Sequence, residues 1–139
     1  MIDCETEVAG HFPQALRVRS HTFRADEAAP DSTDSAPSPH DYFDASLAAC
    51  KAMTATWYAK RNGIPLERVE TCVDRDATEE RKGKYVLTVR MAFYGPLDEA
   101  QRQKLTEVVA RCPVHKLMTT AEIEIRTVPW ERDTFIDPK

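Results

Sequence analysis

Two cysteines that are far apart in the sequence are the residues best suited to chemistry. Cys50 lies in the alanine-rich run of residues 44–54, and Cys112 opens residues 112–116, with Pro113 directly after it. A cysteine thiolate is a strong nucleophile, and two thiols can close a disulfide when their Cα atoms lie roughly 4.4 to 6.8 Å apart. The pair indicates thiol chemistry if the fold brings both cysteines together. For each cysteine alone, a packed core thiol is the simpler interpretation.

Cys50 lies in the middle of a long predicted helix. Ser38 suits the N-cap, Pro39 suits the first turn, and Asp41 completes a capping-box pattern with Ser38. The helix should end near Gly63, which can adopt the left-handed conformation of a helix C-terminus. Residues spaced by three or four positions predict its inner face. This predicted face consists of Phe43, Leu47, Cys50, Thr54 and Trp57.

Cys112 lies at the end of a second predicted helix. Asp98 can open this helix, and Leu105, Val108 and Cys112 share one stripe. Pro113 breaks or restarts the helix, because proline lacks an amide donor and disfavours a helical conformation in the preceding residue. Cys112 therefore faces either the carbonyl end of one helix or the amide end of the next, and the sequence leaves both possibilities open.

Alternating apolar residues predict strands around the two helices. The predicted strands are two or three short ones within residues 1–25, a hairpin formed by 69–73 and 85–93, and a last strand at 122–128. Cys72 is out of phase with its apolar neighbours and should face the opposite side of the hairpin. Strands and helices together predict an α+β domain.

The composition is typical of one globular domain that spans residues 1–139. The chain has 139 residues and a net charge of −4, which argues against a nucleic-acid partner. It has neither a long apolar run nor the pattern of a signal peptide, so we expect a cytoplasmic protein without a membrane partner. Small and acidic residues predict a flexible loop at 26–38, and residues 129–139 form a tail.

His115 follows Cys112 with Cys-x-x-His spacing, which leaves two further types of site open. With Cys50, these residues would supply three zinc ligands, but structural zinc sites use four, so we expect no metal and no cofactor. A Cys-His dyad for acyl transfer is the other possibility, since an adjacent imidazole can activate a thiol. The simplest interpretation of His115 is a polar surface residue, and Cys4 and Cys72 are expected to be structural or incidental.

Several motifs together resemble the OsmC/Ohr family of thiol peroxidases. The matching segments are residues 21–26, 36–39, 47–54, 95–98 and 112–116. The resemblance extends over most of the chain. It implies an α+β fold in which two long central helices are wrapped by antiparallel sheets. It also implies an intertwined homodimer whose active sites form at the subunit interface.

The resemblance further implies a reaction for the two cysteines. Cys50 would be the peroxidatic cysteine, whose thiolate attacks an organic hydroperoxide and becomes a sulfenic acid. Cys112 would be the resolving cysteine, which condenses with that acid to a disulfide. A dithiol reductant, often of the lipoyl type, would restore both thiols. The apolar side chains of Phe43, Leu47 and Trp57 would form the substrate pocket and favour organic hydroperoxides.

The groups that would activate the thiolate depart from the pattern of the best-characterised members. Those proteins carry a glutamate after the proline that starts the cysteine helix, whereas His40 follows Pro39 here and Asp41 comes next. Asp41 is therefore the candidate acid, and Arg19 and Arg24 are the candidate arginines. An alternative function is a weak or inactive OsmC-like dimer that binds a small apolar ligand or senses redox state.

Overall fold

A computed structural model describes residues 1–130 of the chain and has an α+β fold. Three strands, one helix, two strands and two helices follow one another along these residues, with one short 3-10 turn at Glu80–Lys82 between the last two strands. The strands are β1 (Ile2–Thr6), β2 (Gln14–Val18), β3 (His21–Ala25), β4 (Arg68–Asp76) and β5 (Val86–Tyr94). The helices are α1 (Pro39–Arg61), α2 (Glu99–Val109) and α3 (Pro113–Thr119). None of these helices is long and apolar enough to cross a membrane.

The strands form two separate antiparallel sheets. β1, β2 and β3 make a three-stranded sheet, and β4 pairs with β5 as a hairpin. The hairpin register places Cys72 opposite Arg90 on the exposed side, while Val69, Thr71 and Val73 are half-buried. Both the strands of the first 25 residues and the hairpin were correctly predicted, because alternation is visible wherever one face of a sheet is covered.

The predicted start of α1 is confirmed in detail. Ser38 is the N-cap, and its Oγ accepts a hydrogen bond of 3.2 Å from the Asp41 amide. The Asp41 carboxylate in return accepts one of 2.9 Å from the Ser38 amide, which completes the capping box. At the other end Asn62 is the C-cap, and Gly63 follows with a left-handed φ of 63°. Local chemistry therefore fixes both ends of α1.

The predicted inner face of α1 was wrong in part. Its buried residues are Asp44, Leu47, Lys51, Ala55 and Ala59. Phe43 and Trp57 are instead 47% and 59% exposed, and Cys50 is half-buried. The helix is rotated because the small Ala55 and Ala59 side chains allow close packing against α2. They form the core with Leu105 and Val109.

The predicted last strand at 122–128 was also wrong for the chain as described. Residues 121–130 have no regular secondary structure, and Ile123 and Ile125 are 62% and 84% exposed. Alternation gives this segment an apolar side, but a strand also needs a neighbour with which to pair, and none is present among residues 1–130. Most of the predicted tail, residues 131–139, lies outside the described residues.

The loop at 26–38 connects the first sheet to α1 and is organised around Asp26. This carboxylate is only 3% exposed and accepts hydrogen bonds of 2.8 and 2.7 Å from the Ser35 amide and hydroxyl. The Asp26 amide also donates to the Pro37 carbonyl. These bonds fold the loop back toward the end of β3, so that α1 begins next to the sheet.

Candidate active site

Cys112 lies at the amide end of α3, which answers the question that the sequence left open. It is the N-cap residue of this helix, and its Sγ accepts a hydrogen bond of 3.4 Å from the His115 amide. Pro113 in the first turn fixes where the helix begins. The Cys112 side chain is fully buried, with 0% exposure. Cys112 is therefore a thiol held in one place by the start of α3.

The fold brings Cys50 and Cys112 together. Burial is the main cause that raises the pKa of Cys112, and the neighbouring Cys50 thiol raises it further, while the His115 amide opposes the shift. Cys50 lies in the middle of α1 and is half-buried, so it remains accessible to a small molecule. The pair thus combines one accessible thiol with one buried thiol that is held in its protonated form.

Lys51 is a functional candidate that sequence reasoning missed. It is only 5% exposed, and its ammonium group donates a hydrogen bond of 2.7 Å to the Val109 carbonyl at the end of α2. Lys51 Nζ also lies 3.1 Å from His115 Nδ1. The charge acts on Cys112 and partly opposes the rise of its pKa. Lys51 lies four residues after Leu47 and so on the same face of α1, which was the available signal for its burial. In an alanine-rich helix, however, a lysine side chain is expected to extend into solvent.

A second polar cluster joins α1 to the hairpin. Arg75 on β4 donates hydrogen bonds of 2.7 Å to Asp41 and 2.5 Å to Asp44, and the Tyr85 hydroxyl donates one of 2.7 Å to Asp44. Asp41 and then Asp44 raise the pKa of Arg75. Burial, and then Asp44, raises the pKa of Tyr85 to about 12. The arginine that Asp41 holds in this chain is therefore Arg75, which the sequence did not indicate.

The two arginines that were predicted near the thiolate lie elsewhere. Arg24 Nε donates a hydrogen bond of 2.6 Å to Glu7, and its other nitrogens bond to Ser35. Arg19 is exposed in the turn between β2 and β3, with a φ of 52°. Among residues 1–130, no arginine forms a hydrogen bond with Cys50.

A cavity of about 980 Å³ opens between α1, the hairpin and α3. Its walls are mostly apolar, with Lys51 and His115 among the polar residues that line it. Of the predicted pocket residues, Phe43 and Leu47 line the cavity, but Trp57 does not, and its ring lies under the Arg61 guanidinium at 4.6 Å. The other apolar lining residues include Val86, Leu87, Val89, Ala110 and Met118.

Cys50 itself is not among the lining residues, although Leu47 and Lys51 lie on either side of it on α1. Cys4 and Cys72 are exposed and lie away from the pair. Within residues 1–130, no group of three or more His, Cys, Asp or Glu side chains could hold a metal ion. The arrangement can support the chemistry of two thiols, with a buried ammonium and an imidazole beside them.

Comparisons with known proteins agree with the fold. The family model described as OsmC-like protein matches residues 32–128. No curated protein matches the chain. The chain is similar to a solved OsmC-like protein from Mycoplasma pneumoniae, with 18% identity, a TM-score of 0.70 and coverage of 86% of both chains.

Two other solved structures have the same fold. The organic hydroperoxide resistance protein OhrB of Bacillus subtilis is 19% identical, with a TM-score of 0.58 and coverage of 86% of this chain and 90% of that one. A putative osmotic stress induced and detoxification response protein from Psychrobacter arcticus is 17% identical, with a TM-score of 0.67 and coverage of 82% and 85%. These likenesses concern the fold, whereas the family model matches most of the sequence. The chain therefore belongs to the OsmC-like protein family.

Proposed function

We propose that this protein is a thiol-dependent peroxidase that reduces organic hydroperoxides. The observation that carries the proposal is the pairing of the accessible Cys50 with the buried Cys112 at the start of α3. Solved structures with the same fold include proteins described as organic hydroperoxide resistance proteins.

The reaction begins with the Cys50 thiolate. It attacks the terminal oxygen of the hydroperoxide, so that an S–O bond forms, the O–O bond breaks, and the alcohol leaves. The sulfur is oxidised by two electrons to a sulfenic acid. Cys112 then displaces the hydroxyl group as water and forms a Cys50–Cys112 disulfide. A dithiol of the lipoyl type returns both cysteines to thiols by exchange.

Burial supports this order of action. Cys112 has no exposed surface, and its raised pKa keeps it in the protonated form, which is a poor nucleophile toward peroxide. Cys50 is half-buried on α1 and is the thiol that a hydroperoxide can reach. The resolving thiol needs to reach only its neighbour, so complete burial does not prevent its step.

The cavity supports an organic substrate. A volume of about 980 Å³ is far larger than hydrogen peroxide requires, and its apolar walls include Phe43 and Leu47. Burial of apolar surface stabilises a bound ligand by roughly 25 cal/mol per Å² of area removed from water. A hydroperoxide with an aromatic or alkyl group therefore gains binding energy that hydrogen peroxide lacks.

The proposal includes a homodimer. Met53 and Trp57 on α1 are 71% and 59% exposed, which is unusual for large apolar side chains on a central helix. A second copy of the chain would cover this face. Met53→Glu should give monomers in sedimentation experiments, whereas Gln103→Glu, an exposed position on α2, should leave the dimer intact.

Peroxide turnover tests the proposed activity. Wild-type protein with dihydrolipoamide should consume cumene hydroperoxide faster than the reductant alone, and Cys50→Ser should abolish the difference. Cys72→Ser is the matched control, because Cys72 is exposed on the far side of the hairpin. Equal consumption by wild type and Cys50→Ser would contradict the proposal.

One observation favours the alternative, a ligand-binding or redox-sensing protein without turnover. Arg75 is engaged by Asp41 and Asp44, and no arginine among residues 1–130 bonds to Cys50. Thiol peroxidase chemistry uses the thiolate, which a hydrogen-bonded arginine would stabilise. If the protein binds a fatty acid in calorimetry yet neither wild type nor Cys50→Ser consumes hydroperoxide, binding is the function.

A further inference from the structure

The buried Lys51 ammonium fixes which nitrogen of His115 carries the ring proton. An ammonium group can only donate hydrogen bonds, so His115 Nδ1, 3.1 Å from Lys51 Nζ, is the acceptor. The ring proton therefore lies on Nε2. The Val109 carbonyl, 2.7 Å from the same Nζ, holds the ammonium in place. His115 is thus prepared to donate a hydrogen bond from Nε2.

That donor belongs to a residue of the cavity wall. His115 and Lys51 both line the cavity. Among residues 1–130, the only hydrogen bond of the His115 ring is the one to Lys51. The Nε2 proton is therefore available to a molecule bound in the cavity.

His115 and Lys51 also lie near the two cysteines. The His115 amide donates to Cys112 Sγ at 3.4 Å, and Cys112 lies beside Cys50. Lys51 directly follows Cys50 on α1, and its charge acts on Cys112. A hydroperoxide that meets the Cys50 sulfur with its terminal oxygen and places its organic group in the cavity would direct its other oxygen toward the wall that carries this donor.

We propose that His115 is a catalytic residue that protonates the leaving oxygen of the hydroperoxide, and that Lys51 supplies the proton through the imidazole ring. The inference rests on the proposed peroxidase function. An alkoxide is a strongly basic leaving group, so its protonation during O–O cleavage lowers the barrier. No other side chain described above combines an available donor with a proton source behind it.

The protons and electrons balance over the two steps. As Cys50 takes the terminal oxygen, the leaving alkoxide takes the Nε2 proton of His115, and Nδ1 takes one from Lys51. The products are the alcohol, the Cys50 sulfenic acid and a neutral Lys51 amine. This amine then accepts the proton of the Cys112 thiol, whose thiolate forms the S–S bond. The displaced hydroxide becomes water with the solvent proton that Cys50 released on ionisation, and exchange with water returns the ring proton of His115 from Nδ1 to Nε2.

The test compares two classes of oxidant in single-turnover oxidation of Cys50. Cumene hydroperoxide expels an alkoxide, which needs a proton, whereas peroxybenzoic acid expels a carboxylate, which does not. His115→Leu should slow the first reaction by about 100-fold and the second by less than about threefold. Lys51→Met should show the same selectivity. His115→Gln, which keeps an amide donor near the position of Nε2, should recover part of the lost rate.

The control is His21→Leu, since His21 is exposed on β3 and does not line the cavity. It should keep the wild-type ratio of the two rates. Equal losses with both oxidants in His115→Leu, or no loss with either, would overturn the inference and leave the peroxidase function standing. If wild-type Cys50 reacts with neither oxidant, the peroxidase function fails and the inference with it.

Discussion

Arg75 Nε donates a hydrogen bond of 2.5 Å to the Asp44 carboxylate, and this contact joins the hairpin to α1. Asp44 is only 8% exposed, although it lies on the central helix α1. A carboxylate at such a position needs a charged partner, because burial removes most of its hydration. The ion pair with Arg75 therefore offsets the cost of burying the Asp44 charge on α1.

Arg75→Met should destabilise the protein by about 2 to 3 kcal/mol, because it leaves the Asp44 charge with only the Tyr85 hydroxyl as a partner. Urea denaturation followed by circular dichroism at neutral pH measures the change in free energy of unfolding. Arg90→Met is the control, since Arg90 pairs with the exposed Asp74 and should cost at most about 0.5 kcal/mol. Equal losses in both variants would contradict a special role of Arg75.

The charge of Asp41 should make stability depend on pH. The Ser38 amide, and then Arg75, lowers the pKa of Asp41 from its ordinary value of 3.8. A lowered folded-state pKa stabilises the fold above the ordinary value, and this contribution disappears as the pH falls through the folded-state pKa.

Asp41→Asn should therefore cost about 0.5 to 1 kcal/mol near neutral pH, a modest value because half of the Asp41 side chain is exposed. The difference from wild type should shrink at acidic pH, where both side chains are neutral. Urea denaturation at about pH 7 and about pH 2 measures both differences. If wild type and Asp41→Asn differ in stability by the same amount at both pH values, the Asp41 charge does not contribute to stability.

The part of the structure that sequence predicts is the part that local chemistry decides. The capping box of Ser38 and Asp41 fixed the start of α1, and Pro113 fixed the start of α3. Alternation found the hairpin because its covered face lies against α1. Helical spacing left open whether Cys50 and Cys112 meet, and only the family resemblance implied that they act as a pair.

The rest depends on partners that lie far away in the sequence. Asp44 and Lys51 face inward because Arg75 binds the Asp44 carboxylate and the Val109 carbonyl accepts a hydrogen bond from the Lys51 ammonium. A search for apolar residues at helical spacing assigns both of these charged residues to the surface. The same apolar pattern wrongly placed the large Phe43 and Trp57 side chains on the inner face of α1. Ile123 and Ile125 have the pattern of a strand, but a strand forms only where another segment pairs with it.

The cavity should set the preference among organic substrates. Met118→Trp places an indole among the apolar residues of the wall, so KM for the bulky cumene hydroperoxide should rise about tenfold. KM for the smaller tert-butyl hydroperoxide should change much less. Val8→Trp is the matched control, because Val8 is 55% exposed and does not line the cavity. Equal increases for both substrates would mean that they do not bind in the cavity.

Removal of the buried thiol should stop the reaction after its first half. In Cys112→Ser, one equivalent of hydroperoxide should leave Cys50 as a sulfenic acid, which dimedone traps and mass spectrometry detects as an adduct. Wild type and the exposed control Cys72→Ser should instead form the disulfide and give no adduct. Excess hydroperoxide should carry Cys50 of the variant on to the sulfinic acid, because no neighbouring thiol intercepts it. An adduct of equal yield in all three proteins would mean that Cys112 does not resolve the sulfenic acid and serves only to pack the start of α3.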